Sequence, residues 1–355
     1  MIGALLGSVI GSLLLLLLIS WLALPASAAD PVWPSAHWAT ADDPAALGWS
    51  VEKLRKVQEY SRAYAPTALM IVQDGKVIVS WGEIANKVNI RSARKSLLSA
   101  LYGIGVAEGH IRLDQTLNEV GIDDRAPSLS ESEKQATIRD LLMARSGIYH
   151  LAAYEAPGMK ARRPQRGSHP PGSYWYYNNW DFNALGFIYQ KLIGSDVFRA
   201  FETQIAKPIG MEDFSADDGQ FVFEPTSDYP AYTFRLTARD LVRFGWLYLN
   251  RGAWSGAQIV PGDWVDESTK AWSPGEEGLD YGYLWWVLPT AAGGREPSLA
   301  GTYMGLGAGG QALAVVPVLR LVVAQLVDVK EGQERIGGRR EFPQLLRLIA
   351  AAAGS

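Results

Sequence analysis

RSARKSLLSALYGIGVAEG, residues 91–109, sets Ser92 and Lys95 three positions apart at the expected start of a helix. Ser92 is either a nucleophile assisted by Lys95 or part of an ordinary helix surface. The S-x-x-K spacing does not choose, because about one such match arises by chance at this composition. A second match is present at Ser50-Val51-Glu52-Lys53. There the segment VEKLRKVQEYSRAY (51–64) has helical spacing, and a serine directly before such a run is an N-cap. Ser50 is therefore expected to serve the helix and not the chemistry.

The surrounding chain is ordinary in bulk. Its 355 residues are 48% hydrophobic and 20% charged, enough for a large core or for two lobes sharing one site. A net charge of -4 gives no reason to expect nucleic-acid binding. The densest basic stretch, Lys160 to Arg166, lies among Gly and Pro and reads as a solvated loop. With no cysteine, there are no disulfides and no thiol chemistry. The first charged residue is Asp30, after a Leu-rich apolar run that ends in Ala26-Ser27-Ala28. A small-x-small site behind an apolar run marks a cleaved secretory signal. The run also approaches the ~20 residues that span a bilayer, so a retained N-terminal anchor is the alternative. Either reading puts the body of the chain outside the cytoplasm, in the periplasm or beyond.

Downstream, ALMIVQDGKVIVSWG reads as a hairpin about Asp74-Gly75. Residues 95–193 are mostly helical in pattern, broken by long loops such as 150–173. LTARDLVRFGWLYLNRG (236–252) is an amphipathic helix with Gly252 as its stop. Strand signals return in YGYLWWVLP, QALAVVP and LRLVVAQLVD, and EFPQLLRLIAAAA closes the chain as a helix. Strands near both ends with helices between them imply an α+β fold. An antiparallel sheet built from both termini would be flanked by N- and C-terminal helices, with a mostly helical lobe inserted. The expected division is 1–29 as signal or anchor, 30–90 with 226–355 as the α/β lobe, and 91–225 as the helical lobe. A cleft between the lobes is where a site would be sought.

A serine hydroxyl needs a base within hydrogen-bond reach. The four histidines, His37, His110, His150 and His169, stand in no recognisable triad context, and there is no G-x-S-x-G elbow. Lysine can substitute where burial or nearby cations leave a neutral amine. Residues i and i+3 share a helix face, so Lys95 can reach Ser92. The run Leu97, Leu98, Leu101, Ile104 and Val106 would bury that helix. Tyrosine is the usual third partner, and Y-x-N occurs at Tyr176-Asn178, Tyr177-Asn179 and Tyr248-Asn250. The last lies inside the 236–252 helix and reads as core, while the first two overlap and need an outside register.

Five blocks in order supply one. RSARKSLLSALYGIGVAEGHIRLDQTL with TIRDLLMARSGI, then PGSYWYYNNWDFNALG, LTARDLVRFGWLYLNRGAWSGAQIVPGDWV, YGYLWWV and GLGAGGQALAVVP resemble the β-lactamase-related serine hydrolases. These comprise class C β-lactamases, esterase relatives and 6-aminohexanoate-dimer hydrolases. The resemblance spans most of the chain after residue 30 and implies a β-lactamase/transpeptidase-like fold. It selects Ser92 over Ser50 and, counting from Pro171-Gly172 and from Gly186, places the family tyrosine on Tyr177 and its asparagine on Asn179.

What the resemblance implies is an acyl-enzyme on Ser92, with Lys95 and Tyr177 handling the proton. The backbone N–H groups of Ser92 and Ala308 would hold the oxyanion. Asn179, Tyr149 and Gly307 would line the substrate site, and no metal or cofactor is required. Tyr149 reads equally as packing. One departure matters. The third motif reads Gly305-Leu306-Gly307 where β-lactamases and penicillin-binding proteins carry Lys-Thr-Gly or a close variant. Losing a charge-assisted contact of ~1.5–3 kcal/mol weakens a carboxylate-bearing substrate by one to two orders of magnitude. The expectation is therefore a hydrolase of a small-molecule ester or amide, with a β-lactamase or D-peptidase, or a non-catalytic binding protein on the same scaffold, as alternatives. Arg94, inside the S-x-x-K, either helps to depress the Lys95 pKa or points to solvent.

Overall fold

The computed structural model describes residues 32–289, 296–328 and 341–354. The segment read as a signal or anchor lies outside them. Val32–Ser355 forms one compact unit. Among the described residues, no helix is long and apolar enough to cross a membrane.

The main sheet has nine strands. In spatial order they are Ala39–Thr40, Lys76–Gly82, Ala68–Gln73, Leu321–Leu326, Gln311–Val316, Tyr303–Gly307, Trp286–Val287, Asp280–Tyr281 and Ser273–Pro274. Every neighbouring pair is antiparallel except the first, where Ala39 faces Lys76 in parallel. Strands 68–73 and 321–326 lie side by side, Ile71 opposite Val323, so the two ends of the chain meet in the sheet centre. Both central strands are apolar almost throughout because helices and loops cover them. Asp74 (φ 49°) and Gly75 (φ 77°) make the expected tight turn of the 68–82 hairpin.

The Val51–Ala63 helix starts as expected, with Ser50 Oγ accepting from the Lys53 N–H at 3.2 Å. The Lys53 ammonium bonds instead to the Ala351 carbonyl at 3.0 Å, which ties this helix to the Glu341–Ala353 helix. The predicted helix over 236–252 spans Ala238–Leu249, capped by the Thr237 side chain, and packs on strands 311–316 and 321–326. Tyr248 is buried within it, as its reading as core requires.

Two segments differ from expectation. YGYLWWVLP is not one strand. Asp280–Tyr281 and Trp286–Val287 pair with each other across a reversal at Gly282–Trp285, closed by the Gly282 N–H on the Trp285 carbonyl at 2.8 Å. The reversal lets Tyr283 stack on Trp272 (ring centroids 5.8 Å apart) and Trp285 pack on Tyr248. Aromatic burial outside the sheet thus overrides strand propensity. The basic stretch 160–166 is largely exposed, as expected, but only its second half is loop and two of its arginines are paired. Lys160 and Arg162 end a short helix, Pro157–Arg162, and Arg163 and Arg166 reach the buried carboxylates of Glu155 and Glu133.

Residues 91–225 carry the Arg94–Ala107 and Asn179–Ile193 helices and several short ones. Leu97, Leu98 and Leu101 are fully buried, each contributing about 1.5–3 kcal/mol of transfer free energy. A small sheet, Val88–Asn89, Ala231–Leu236 and Gly219–Val222 in that order, has its first strand just before Ser92 in the chain.

Candidate active site

Ser92 sits in the single tight turn Arg91–Ala93 that feeds the Arg94–Ala107 helix. One turn later on the same face, Lys95 is 1% exposed. Its Nζ lies 2.8 Å from Ser92 Oγ and 2.9 Å from the Tyr177 hydroxyl. Tyr177 comes from the other helix of the region, two residues before Asn179 begins it, with Asn178 as the N-cap. The three side chains expected from sequence therefore converge, with lysine bridging the two hydroxyls. Its Nζ also lies over the Tyr177 and Phe182 rings, 4.8 and 4.6 Å from their centroids. Trp286 stacks on Tyr177 at 5.3 Å and Tyr281 meets it edge-on, fixing the phenol from the sheet side. Tyr176, the off-register match, turns away and donates to the Met159 carbonyl at 2.8 Å.

The third motif flanks this turn. Strand 303–307 runs along residues 90–96, and its glycines make the approach possible. A Cβ on Gly307 would lie 2.4 Å from the Ile90 carbonyl oxygen, and one on Gly305 3.0 Å from Ser96 Oγ. Ser96 Oγ is itself committed to the Leu284 carbonyl at 3.0 Å. Close packing thus leaves no room for a Cβ at 307 and little at 305, so neither position carries a side chain toward this turn. Ala308 follows at the exposed turn between strands 303–307 and 311–316.

The remaining expected residues are placed differently. Asn179 is buried and donates from Nδ2 to the Tyr154 carbonyl at 2.6 Å, while its Oδ1 has no partner among the described residues. Tyr149 is buried, with its hydroxyl 3.2 Å from His169 Nδ1 and its ring edge-on to His169 and Tyr176. Burial pushes its phenol well above the usual range. Arg94 does not point to solvent. It is 1% exposed, donates to the Arg91 carbonyl at 3.0 Å and lies over the Tyr232 and Tyr154 rings.

Sequence reasoning did not single out three further groups. Tyr154 (φ 64°) sits between the two motifs, its hydroxyl taking a hydrogen bond from the Arg91 guanidinium and its carbonyl one from Asn179. Arg91 has φ 52°, an uncommon conformation for a side-chain-bearing residue, directly before the nucleophile position. Asp181, one turn into the Asn179–Ile193 helix, takes the Ser146 hydroxyl at 2.6 Å. Full burial pushes the Asp181 carboxyl well above its ordinary value. No periodicity marks Tyr154 or Arg91.

The chain's relatives agree with this architecture. The Beta-lactamase family model matches residues 51–342. A candidate 6-aminohexanoate-dimer hydrolase from Bacillus anthracis superposes with TM-score 0.64 at 20% identity, covering 82% of this chain and 81% of that one. A penicillin-binding protein homologue from Caulobacter crescentus gives 0.61 at 16% identity, with 89% and 99% covered. A beta-lactamase from Mycobacterium bovis gives 0.57 at 18%, with 84% and 100% covered. At these identities the likeness carries the fold, which is the β-lactamase/transpeptidase-like α+β fold expected from sequence. A search of curated proteins finds no match. With the family model matched over most of its length, the chain belongs to the beta-lactamase family, whose members are serine hydrolases.

Proposed function

We propose that the protein is an exported serine hydrolase that cleaves an ester or amide of a small molecule through an acyl-enzyme on Ser92. The observation that carries this reading is Lys95 Nζ held at 2.8 Å from Ser92 Oγ and 2.9 Å from the Tyr177 hydroxyl in a buried setting. An ammonium there favours the phenolate of Tyr177, and a neutral amine accepts the Ser92 proton directly. By either route the hydroxyl loses its proton as Oγ attacks the carbonyl carbon. The Ser92 and Ala308 N–H groups receive the oxyanion. As the intermediate collapses, the C–O or C–N bond breaks and the Lys95–Tyr177 pair returns the proton to the leaving group. Water then repeats the sequence on the acyl-enzyme. Asn179 holds the Tyr154 loop, and Tyr149 and Gly307 border the substrate position.

An ester or amide without a β-lactam ring is preferred because strand 303–307 presents no cation. A β-lactamase or D-peptidase is the second reading, favoured by the names of the structural neighbours. Export rests on the apolar residues before Asp30.

The test is labelling of the full chain with a fluorophosphonate, read by intact mass, alongside turnover of short-chain p-nitrophenyl esters, amides and nitrocefin. One adduct that disappears in Ser92→Ala, with ester or amide turnover and little nitrocefin hydrolysis, supports the reading. No adduct on folded protein overturns it, and fast nitrocefin hydrolysis moves it to a β-lactamase.

A further inference from the structure

Arg94 is a buried charge inside the S-x-x-K that the proton path does not use. It is 1% exposed, and its Nε and Nη2 meet no acceptor among the described residues. Its side chain makes a single hydrogen bond to a described residue, from Nη1 to the Arg91 carbonyl at 3.0 Å. A buried charge is ordinarily paired with a carboxylate, so this one calls for a reason. What holds the guanidinium is aromatic. It stands 4.9 Å from the Tyr232 ring centroid and 5.7 Å from that of Tyr154. Ring faces attract a cation without cancelling its charge, which a carboxylate would do.

The hydrogen bond falls on one particular peptide. The Arg91 carbonyl and the Ser92 N–H are the two ends of a single planar unit. At one end, the oxygen takes both the backbone N–H and the guanidinium of Arg94. At the other, the Ser92 N–H has no acceptor among the described residues. The unit is also fixed from behind, because Arg91 is left-handed at φ 52° and its own N–H donates to Asn89 Oδ1 at 2.9 Å. Strain of this kind persists only where the surroundings over-determine it. A cation at the carbonyl draws charge onto the oxygen and leaves the nitrogen end more positive. The N–H at that end becomes a stronger donor, as hydrogen bonds in a chain strengthen one another at low dielectric.

We infer that Arg94 is a positioning residue for the oxyanion, its guanidinium orienting and polarising the peptide whose N–H is that of Ser92. This rests on the hydrolase reading above, in which that N–H receives the charge. The effect is greatest where the substrate oxygen carries most charge, in the tetrahedral states of acylation and deacylation. Substrate in its ground state gains less, so the contribution belongs to kcat and not to KM.

The test acylates Ser92 with p-nitrophenyl butyrate and p-nitrophenyl cinnamate labelled at the carbonyl carbon. Intact mass counts the adduct, and infrared difference spectra against the unlabelled ester isolate its carbonyl stretch. Stronger hydrogen bonds to that oxygen lower the frequency. Wild type should therefore absorb lowest, Arg94→Met highest and Arg94→Lys between them. In Arg94→Met, kcat and kcat/KM should fall together by about tenfold, a part of the 10²–10³ that a whole oxyanion donor is worth. Arg94→Lys keeps the charge and loses the fork, should recover part of that loss, and carries the comparison if Arg94→Met does not fold. A merely structural arginine would lower the unfolding midpoint and leave the carbonyl frequency unmoved, which overturns the inference. A shifted acid limb of the kcat/KM profile at unchanged frequency also overturns it, by assigning the charge to Lys95. No adduct in wild type with either ester sinks the hydrolase reading itself, and this inference with it. An adduct whose frequency ignores Arg94 sinks the inference alone.

Discussion

Gly307 lies so close to Ile90 that a Cβ added to it would stand 2.4 Å from the Ile90 carbonyl oxygen and 3.1 Å from Arg91 Cβ. The strand that leads to the Ala308 turn is therefore pressed on the segment that presents Ser92, with no intervening side chain. Gly307→Ala must push the two apart. The expected result is a folded protein destabilised by about 1–3 kcal/mol, the usual cost of overpacking. Its kcat/KM should fall by roughly a hundredfold, because misplacement of about 1 Å at a reacting centre has that effect. Denaturant unfolding and steady-state kinetics on one ester check both. A variant as active as wild type would show that the Ala308 N–H takes no part.

Lys95 bridges two hydroxyls, so its removal and that of Tyr177 should differ in kind. Lys95→Met takes away the group common to both hydrogen bonds and is expected to abolish fluorophosphonate labelling of Ser92. Tyr177→Phe keeps the ring on Trp286 and Phe182 and loses only the hydroxyl. Its kcat should drop by about 10²–10⁴, the usual worth of a positioned acid–base group, with a smaller change in KM. Pre-steady-state release of p-nitrophenol separates slow acylation from slow deacylation. Equal activity in Tyr177→Phe would remove the tyrosine from the proton path.

Much of this arrangement was legible in the chain because it is local. Ser50 before a helical run and Asp74-Gly75 between β-rich runs each carry their signal within a few residues, whereas Ser92-x-x-Lys95 was selected only by the five family-like blocks around it. The register of Tyr177 over Tyr176 came from the resemblance to the β-lactamase-related hydrolases, counted from Pro171-Gly172 and Gly186, and the structure brings Tyr177 to Lys95. What was not legible depends on partners far apart in sequence. Tyr154 matters because Arg91 and Asn179 both reach it, 63 and 25 residues away. The reversal at Gly282–Trp285 depends on where Trp272 and Tyr248 stand. The glycines at 305 and 307 read only as a missing cation, whereas the structure packs 305 on the Ser96 side chain and 307 on the Ile90 backbone.

Ser50 and Ser92 share a motif and differ in everything around it. Ser50 Oγ is spent on the Lys53 N–H, and Lys53 Nζ on the Ala351 carbonyl. Ser50→Ala should cost about 1 kcal/mol through loss of the cap and leave labelling of Ser92 complete. Thermal unfolding and intact mass of the labelled variant report the two halves of that statement. A labelled Ser50 in wild type would contradict it.

Glu133 gives the clearest pH signature. Burial raises its carboxyl, but the hydrogen bond from Arg166 at 2.7 Å and the His150 ring nitrogen 3.7 Å away outweigh this and hold it well below the ordinary value. The Ser130 N–H adds a further bond at 2.7 Å. A carboxyl whose pKa is depressed on folding contributes stability that is complete above its unfolded pKa, near 4.5, and is lost as pH falls below it. Glu133→Gln loses the charge-assisted bonds to Arg166, whose guanidinium stays hydrated, and should cost about 1.5–3 kcal/mol at pH 7. The gap between wild type and variant should hold from pH 7 to about 5 and close progressively below about 4. Denaturant unfolding at half-unit steps from pH 7 to 3 measures it. Parallel curves would mean that the network is unpaired in solution. Because His150 directly follows Tyr149, a network that opens in acid should also loosen the Tyr149–His169 wall, so activity should decline over the same interval.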